Sequence, residues 1–189
     1  MGLVVGTGLG VIAGTFAGRV ESLLMRFVDV LLSIPSLLLS LTVIILLGFG
    51  TVNAAIAVGV ASIASFARLA RGEVVRIRHT DYVEAAFGSG GTFFAVLWRH
   101  ILPNALTAVL AFATLQFGQA ILALSTLSFL GYGTPPPVPE WGAMISAGRR
   151  YMLECWWLVA MPGAAIMMVS LAFNLFGDGM RDVLDPRSE

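Results

Sequence analysis

The chain has 189 residues, of which 58% are hydrophobic and 12% are charged, whereas about 25% of the residues in a typical soluble domain are charged. Eleven arginines and eleven acidic residues give a formal net charge of zero at pH 7. This composition excludes a soluble globular domain, a disordered tail and a nucleic-acid-binding protein, because a neutral chain lacks a basic surface for DNA or RNA. Cys155 is the one cysteine, which excludes an internal disulfide and a cysteine metal cluster. The sequence therefore predicts a polytopic membrane protein.

Long uncharged segments alternate with short charged ones, and they predict the membrane spans. A transmembrane helix needs about 20 apolar residues. We expect an all-α, polytopic helical bundle in a single domain over residues 1–189, because a helix satisfies its own backbone hydrogen bonds in lipid. Pro35 and Pro162 lie within spans and are expected to kink or locally unwind them. The five predicted spans are residues 2–18, 29–49, 52–70, 104–128 and 155–177.

The arginines predict the orientation, since cytoplasmic loops carry the excess of basic residues. With the loop 71–103 inside, nine arginines lie on the cytoplasmic side and only Arg149 and Arg150 lie outside. This places the C-terminus in the cytoplasm. The outer loop is rich in proline and aromatic residues, and it predicts a short interfacial helix from about Glu140 to Met152. Its two arginines would contact either lipid phosphate or a partner protein.

Glycines recur at every fourth position of the first span. They are Gly2, Gly6, Gly10, Gly14 and Gly18. This spacing puts them on one stripe of a helix, and small residues let two helix backbones approach closely. We expect the stripe to pack against another helix or subunit; a generally glycine-rich membrane helix is the alternative.

The sequence offers no catalytic residue, no metal site and no cofactor site. His79 and His100 lack a ligand cluster, and a chain without lysine has no phosphate-binding P-loop, so we expect it not to hydrolyse ATP. The predicted spans have no ionisable residue near their middle, which disfavours a proton-driven carrier. Gln116 and Gln119 share a helix face and are candidates to line a polar path; interhelical hydrogen bonding is the alternative.

The loop 71–103 is the least lipid-like part of the chain. Asp81 predicts a helix start, as a cap with a glutamate three residues later. Gly88–Gly91 predicts a turn, because glycine tolerates positive φ. Thr92 is expected to cap a second helix up to Leu102, and Pro103 then marks its end or the start of the next span. These elements predict a helix–turn–helix knob in the cytoplasm, unless the loop merely packs under its own bundle.

The knob resembles a motif of ABC-transporter permeases. Glu84-Ala85-Ala86, Gly90 and Leu102-Pro103 have the spacing of the EAA loop, E-A-A-x3-G-x11-L-P. Further stretches are similar to the dipeptide/oligopeptide/nickel permeases of that family. They are Met25–Asp29 with Ile34-Pro35, Arg99–Asn104, Leu127–Gly133 with Glu140–Gly142, and Asn174–Arg187. The resemblance covers nearly all of residues 1–189, and it implies that the chain lacks an N-terminal span that members usually have.

The resemblance implies a permease of the type I ABC importer fold in the cytoplasmic (inner) membrane, moving dipeptides, oligopeptides or a nickel-type substrate. It implies three kinds of protein partner besides the lipid bilayer: ATPase subunits that hydrolyse the ATP, a second permease subunit and an extracytoplasmic substrate-binding protein. The residues implied at the ATPase contact are Glu84, Ala85, Ala86, Gly90, Leu102 and Pro103. The two alanines are expected to let the helix enter a groove, so that a β-branched or charged residue at Ala86 blocks docking. The alternative is a truncated membrane remnant or structural partner that does not transport.

Overall fold

The computed structural model describes residues 1–135 and 137–184. These residues form helices and no β-strand, which confirms the all-α fold class. The helices are α1 (Gly2–Thr15), α2 (Arg19–Ser33), α3 (Ser36–Leu47), α4 (Thr51–Arg78), α5 (Asp81–Gly88), α6 (Phe93–Val96), α7 (Leu102–Phe129), α8 (Trp141–Gly148) and α9 (Trp157–Leu184). A π-helical segment, Leu97–Ile101, joins α6 to α7, and a 3₁₀ turn, Arg149–Tyr151, follows α8.

The number of spans differs from the five expected. Within the described ranges, three helical stretches are long and apolar enough to cross a membrane, and a fourth results if α2 and α3 count as one broken span. The three stretches are Thr51–Arg78, Phe93–Phe129 and Trp157–Arg181. Helix α1 has 14 residues and rises about 21 Å, which is less than the roughly 30 Å of hydrocarbon in a bilayer.

Glycine and proline set the ends of the short helices. After α1, Phe16 is extended and Gly18 has a φ of +93°, so the first helix stops before it reaches the predicted residue 18. Ile34 is extended, with φ −91° and ψ 127°, as is usual for a residue before proline. Pro35 therefore interrupts the helix between α2 and α3, which is the local unwinding expected there as one of the two alternatives. Pro162 lies inside α9, which continues on both sides of it.

The helices form two compact units, each with its own core. The first comprises Met1–Ile34, Ser62–Ala113 and the described residues from Met180 to Leu184; the second comprises the described residues of Pro35–Ala61 and Thr114–Gly179. The fully buried residues at the centre of the first unit include Val28, Ala67 and Val74, and those of the second include Ile44, Ala57 and Leu127. The single domain over residues 1–189 stays a prediction.

Candidate functional site

The knob consists of α5, the glycine turn, α6 and the π-helical segment, and α5 begins one residue earlier than a cap at Asp81 would place it. Thr80 occupies the N-cap position of α5, and its Oγ1 donates to the carbonyl oxygen of Ile77 at 2.5 Å. Asp81 is the first residue of the helix, and α5 has no side-chain cap hydrogen bond. The predicted Asp81 cap is therefore wrong. Asp81 and Glu84 still lie in the first turn, where the helix dipole favours negative charge.

The predicted turn is present and depends on Gly90. This residue has a φ of +87°, in the left-handed region where glycine avoids the steric cost that other residues meet. Its N–H donates to the carbonyl oxygen of Phe87 at 3.0 Å, and the N–H of Gly91 donates to that of Ala86 at 3.1 Å. These two bonds satisfy carbonyl groups at the end of α5, in the manner of a glycine C-terminal motif.

Gly91 is a second requirement of this turn that the sequence reasoning missed. A Cβ on Gly91 would lie 2.6 Å from the carbonyl oxygen of Ala86 and 2.9 Å from Cγ2 of Val96. The turn therefore leaves no room for a side chain at this position. The sequence does show two consecutive glycines, Gly90 and Gly91, but the EAA motif includes only Gly90.

The inner face of the knob joins it to the ends of α4 and α7. Val83 of α5 and Val96 of α6 are buried, and they share a hydrophobic cluster with Val74, Ile77, Ile101 and Ala105. Ala86 is partly buried and packs against the same cluster. A bulky or charged residue at Ala86 would thus disturb the packing of the knob itself. Loss of docking in such a variant would therefore not show that Ala86 contacts the partner.

The outer face of the knob is exposed and partly aromatic. Glu84 and Ala85 are both exposed, so the motif Glu84-Ala85-Ala86 presents its first two residues outward and its third inward. Phe94 is 65% exposed and Trp98 is 67% exposed. Exposed apolar surfaces of this kind mark interaction sites more often than single scattered side chains do. The knob is thus both anchored to its own helices and available to a partner.

The second helix of the knob continues directly into α7, so it does not end at Leu102 as expected. The N–H of Leu102 donates to the carbonyl oxygen of Leu97, five residues earlier, which is the π-helical pattern. Pro103 is the second residue of α7 and has no N–H to donate. Asn104 Nδ2 donates to the carbonyl oxygen of His100 at 2.7 Å. Of the two alternatives for Pro103, the start of the next span is the one observed.

Three glycines of the stripe in α1 face α4 at close range. An added Cβ would lie 2.6 to 2.8 Å from a Cβ of α4 in each case. The pairs are Gly6 with Phe66, Gly10 with Ala70, and Gly14 with Val74. The four-residue spacing of α1 therefore matches a four-residue spacing in α4.

The first and last glycines of the stripe behave differently from these three. Gly2 is buried in α1. Gly18 lies outside α1 at the N-cap of α2, with a φ of +93°, and an added Cβ would meet nothing within 4 Å. Its assignment to the packing stripe is wrong, because α1 ends at Thr15 and Gly18 instead makes the turn into α2.

Arginines of α4 bind the neighbouring helices α1 and α2. Arg68 forms an ion pair with Asp29 at 2.5 Å, and Arg71 Nε donates to Glu21 Oε1 at 2.9 Å. Arg78 Nη1 donates to the carbonyl oxygen of Gly14 at 3.1 Å. A carbonyl in the last turn of a helix lacks an intrahelical donor, so Arg78 completes the end of α1.

Glu140 holds the loop between α7 and α8 through a hydrogen-bond cluster that the sequence reasoning missed. Its carboxylate accepts from Ser128 Oγ, from Thr134 Oγ1 at 2.6 Å, and from Thr51 Oγ1 at 2.9 Å. Burial raises the pKa of Glu140, but these hydroxyl donors and the backbone N–H of Thr134 together outweigh it, and the net pKa is lowered. The donors come from α4, α7 and the loop, which no local sequence pattern brings together.

The remaining predicted features lie in α7 and α8. Gln116 is half-buried and Gln119 is exposed, and their role in lining a polar path stays a prediction. The short helix expected from about Glu140 to Met152 is present as α8 and its 3₁₀ turn, which ends at Tyr151, and its location at the membrane interface stays a prediction. The guanidinium of Arg149 lies 6.0 Å from the ring centroid of Phe129, within the range of a cation–π contact.

Comparison with known proteins decides the family. Residues 6–189 match the model of the family described as "Binding-protein-dependent transport system inner membrane component". The chain belongs to this family. It is 43% identical over 185 residues to the probable D,D-dipeptide transport system permease protein DdpC of Escherichia coli (strain K12), covering 98% of this chain and 62% of the relative.

Two further relatives carry similar descriptions. The glutathione transport system permease protein GsiD of Pectobacterium atrosepticum is 40% identical, with 99% of this chain and 62% of the relative covered. The dipeptide transport system permease protein DppC of Alkalihalophilus pseudofirmus is 41% identical, with 98% and 61% covered. This chain thus spans somewhat more than three-fifths of the length of these relatives.

A solved structure confirms the fold. A chain of the MetNI methionine ABC transporter, in inward-facing conformations, superimposes with a TM-score of 0.76 at 19% sequence identity, covering 97% of this chain and 87% of that one. At this identity the likeness shows the fold alone.

Proposed function

We propose that the chain is the transmembrane permease subunit of an ABC importer that moves peptides across the cytoplasmic membrane, driven by ATP hydrolysis in separate subunits. Membership of the inner-membrane-component family supports the permease role. The relatives described above are named as permeases for D,D-dipeptides, glutathione and dipeptides, which supports peptide cargo over a nickel-type substrate.

The observation that carries this proposal is the two-sided structure of the knob. Val83 and Val96 fix its inner face to the ends of α4 and α7, while Glu84, Ala85 and the aromatic side chains face outward. A knob that only filled space beneath its own helices would not expose Phe94 and Trp98 to this extent. We assign the outer face to the ATPase subunit and the inner face to transmission of the ATPase movement into the spans.

The same proposal assigns a side of the membrane to each partner and to the C-terminus. The ATPase subunits bind on the side of the arginine-rich segments, which is the cytoplasmic side by the positive-inside rule. The C-terminus lies on this side as well. A second permease subunit completes the pathway, and an extracytoplasmic binding protein delivers the peptide to the opposite face.

The proposal is tested by co-purification from detergent-solubilised native membranes with a tag at the C-terminus. Ala85→Glu adds a charge to an exposed alanine of α5 without entering the inner cluster. Ala147→Glu is the matched control, because Ala147 is also an exposed alanine in an eight-residue helix, α8. We measure the ATPase activity of the purified material and identify each component by mass.

The expected result is that the wild type and Ala147→Glu bring down an ATPase and that Ala85→Glu loses it. If the wild-type chain comes down alone, the non-transporting alternative replaces the proposal. If Ala85→Glu retains the ATPase, the outer face of the knob is not the contact. Uptake of radiolabelled dipeptide by cells that express the same variants then separates assembly from transport.

A further inference from the structure

Helix α2 exposes an apolar and a polar stripe side by side. The apolar stripe consists of Val20, Leu23, Phe27 and Val30, of which Leu23 is 71% exposed. The polar stripe consists of Ser22, Arg26 and Asp29. The third face of the helix, centred on the buried Val28, packs against Ala64 and Ala67 of α4. A helix with adjacent exposed apolar and charged stripes suits the boundary between lipid tails and headgroups.

The polar stripe is one wall of a cleft of about 530 Å³, and Arg68 and Arg71 of α4 lie on the other wall. Three guanidinium groups and two carboxylates line this cleft, so its formal charge is +1. The two acids are engaged with α4, since Asp29 pairs with Arg68 and Glu21 pairs with Arg71.

Arg26 differs from the other two arginines of the cleft. Its side chain is exposed, and across the described residues it has no hydrogen-bond or ion-pair partner. Arg26 follows Leu23 by three residues and precedes Val30 by four, so its side chain is next to both on the surface of α2. The unpaired charge is therefore directly beside the apolar stripe.

We propose that this cleft binds the headgroup phosphate of an anionic phospholipid, with Arg26 as its chief contact. The planar fork of a guanidinium matches the oxygens of a phosphate group. The acyl chains of the same lipid lie along Leu23, Phe27 and Val30. This arrangement places the arginine head at the headgroup level and the neighbouring side chains in hydrocarbon.

The charges of the cleft favour a lipid over free phosphate. Inorganic phosphate carries a charge between −1 and −2 near neutral pH, and the carboxylates of Glu21 and Asp29 would repel the second charge. A phosphodiester carries a single negative charge, which matches the net charge of the cleft. Only the lipid also covers the apolar stripe.

Native mass spectrometry of the membrane-extracted chain tests the proposal. The probes are dioleoyl phosphatidylglycerol and dioleoyl phosphatidylcholine, added at equal concentration. Arg26→Gln removes the charge, and Arg99→Gln is the matched control because Arg99 is another exposed arginine and lies outside the cleft. Ser22→Glu is an independent variant that adds a carboxylate to the cleft from an exposed position, in case Arg26→Gln lowers the yield of folded protein.

We expect the wild type and Arg99→Gln to retain phosphatidylglycerol in preference to phosphatidylcholine. Arg26→Gln and Ser22→Glu should each reduce this retention about fivefold, which corresponds to the roughly 1 kcal/mol that one basic residue contributes near an anionic lipid surface. Equal retention by the wild type and both cleft variants overturns the proposal. Equal retention of the two lipids, or displacement of phosphatidylglycerol by millimolar inorganic phosphate, overturns it as well.

Discussion

A Cβ atom placed on Gly10 would lie 2.7 Å from the Cβ of Ala70, well inside van der Waals contact. Helices α1 and α4 thus meet along their backbones, with hydrogen in place of a side chain on the α1 side. In lipid, apolar side chains gain little by leaving the solvent, so close packing of small residues drives helix association. The glycine stripe is the clearest instance of that rule in this chain.

The first prediction compares two glycines of the same helix. Gly10→Ala should lower the free energy of unfolding by about 1–3 kcal/mol, because the added methyl group forces the two helices apart. An added Cβ on Gly8 meets nothing within 4 Å, so Gly8→Ala should leave stability unchanged or raise it by up to about 1 kcal/mol. Thermal unfolding in detergent, followed by tryptophan fluorescence, measures both. Equal effects of the two substitutions would contradict the assigned packing.

The second prediction concerns the space at Gly91. Gly91→Ala should loosen the knob, because the new Cβ would lie 2.6 Å from the carbonyl oxygen of Ala86. Hydrogen–deuterium exchange of the amides between Val83 and Val96 should accelerate in this variant. Gly88→Ala is the control, since an added Cβ there meets nothing within 4 Å, and its exchange should match the wild type. Unchanged protection in Gly91→Ala would show that the turn can shift to admit a side chain.

The third prediction concerns the backbone of Gly90. Valine is strained at the observed φ of +87°, since β-branched residues almost never occupy the left-handed region. Gly90→Val should therefore abolish peptide uptake while the chain remains in the membrane. Immunoblotting of membranes measures the amount of protein, and uptake of labelled dipeptide measures transport. If Gly90→Val takes up dipeptide at the wild-type rate with an equal amount of protein in the membrane, the turn does not couple the ATPase to transport.

The fourth prediction is a pH dependence at Glu140. Because the folded protein lowers the pKa of this carboxyl below its ordinary value of 4.5, the ionised form stabilises the fold above that pH. This stabilisation is lost as the pH falls through the lower pKa of the folded state. Glu140→Gln should cost roughly 1–3 kcal/mol near neutral pH, where it replaces a charged acceptor, and less in acid.

Unfolding midpoints at neutral pH and below pH 4.5 measure this difference. Glu154→Gln serves as the control, because Glu154 is exposed; its difference from the wild type should be small at both pH values. If the difference between the wild type and Glu140→Gln keeps its size in acid, the carboxylate does not stabilise the loop through its charge.

Local features of the sequence predicted the knob well. The turn at Gly90 and the break at Pro35 both follow from the backbone preferences of single residues, and so each could be located from the sequence. The N-cap was placed wrongly because Asp81 and Thr80 are both good capping residues. The choice between them depends on how α4 ends, where Thr80 Oγ1 donates to Ile77.

Long-range contacts were beyond such reasoning. Glu140 and Thr51 are 89 residues apart, and Arg68 and Asp29 are 39 apart. Each of these residues is unremarkable in its own segment. Gly91 was missed for a related reason, since what excludes its side chain is the carbonyl of Ala86 across the turn and not its own φ. The length of α1 likewise depends on where Phe16 and Gly18 reverse the chain, which hydropathy does not reveal.

Because the glycines of α1 recur every four residues, shape alone does not fix the position of α1 along α4. If α1 slid along α4 by four residues, Gly6 would take the place of Gly10, and the surface of α1 facing α4 would again be glycine. Steric fit therefore fixes the rotation of the helix about its axis more firmly than its position along that axis. The bond from Arg78 to the carbonyl of Gly14 and the ion pair of Arg71 with Glu21, soon after α1, are the polar contacts that favour the observed register.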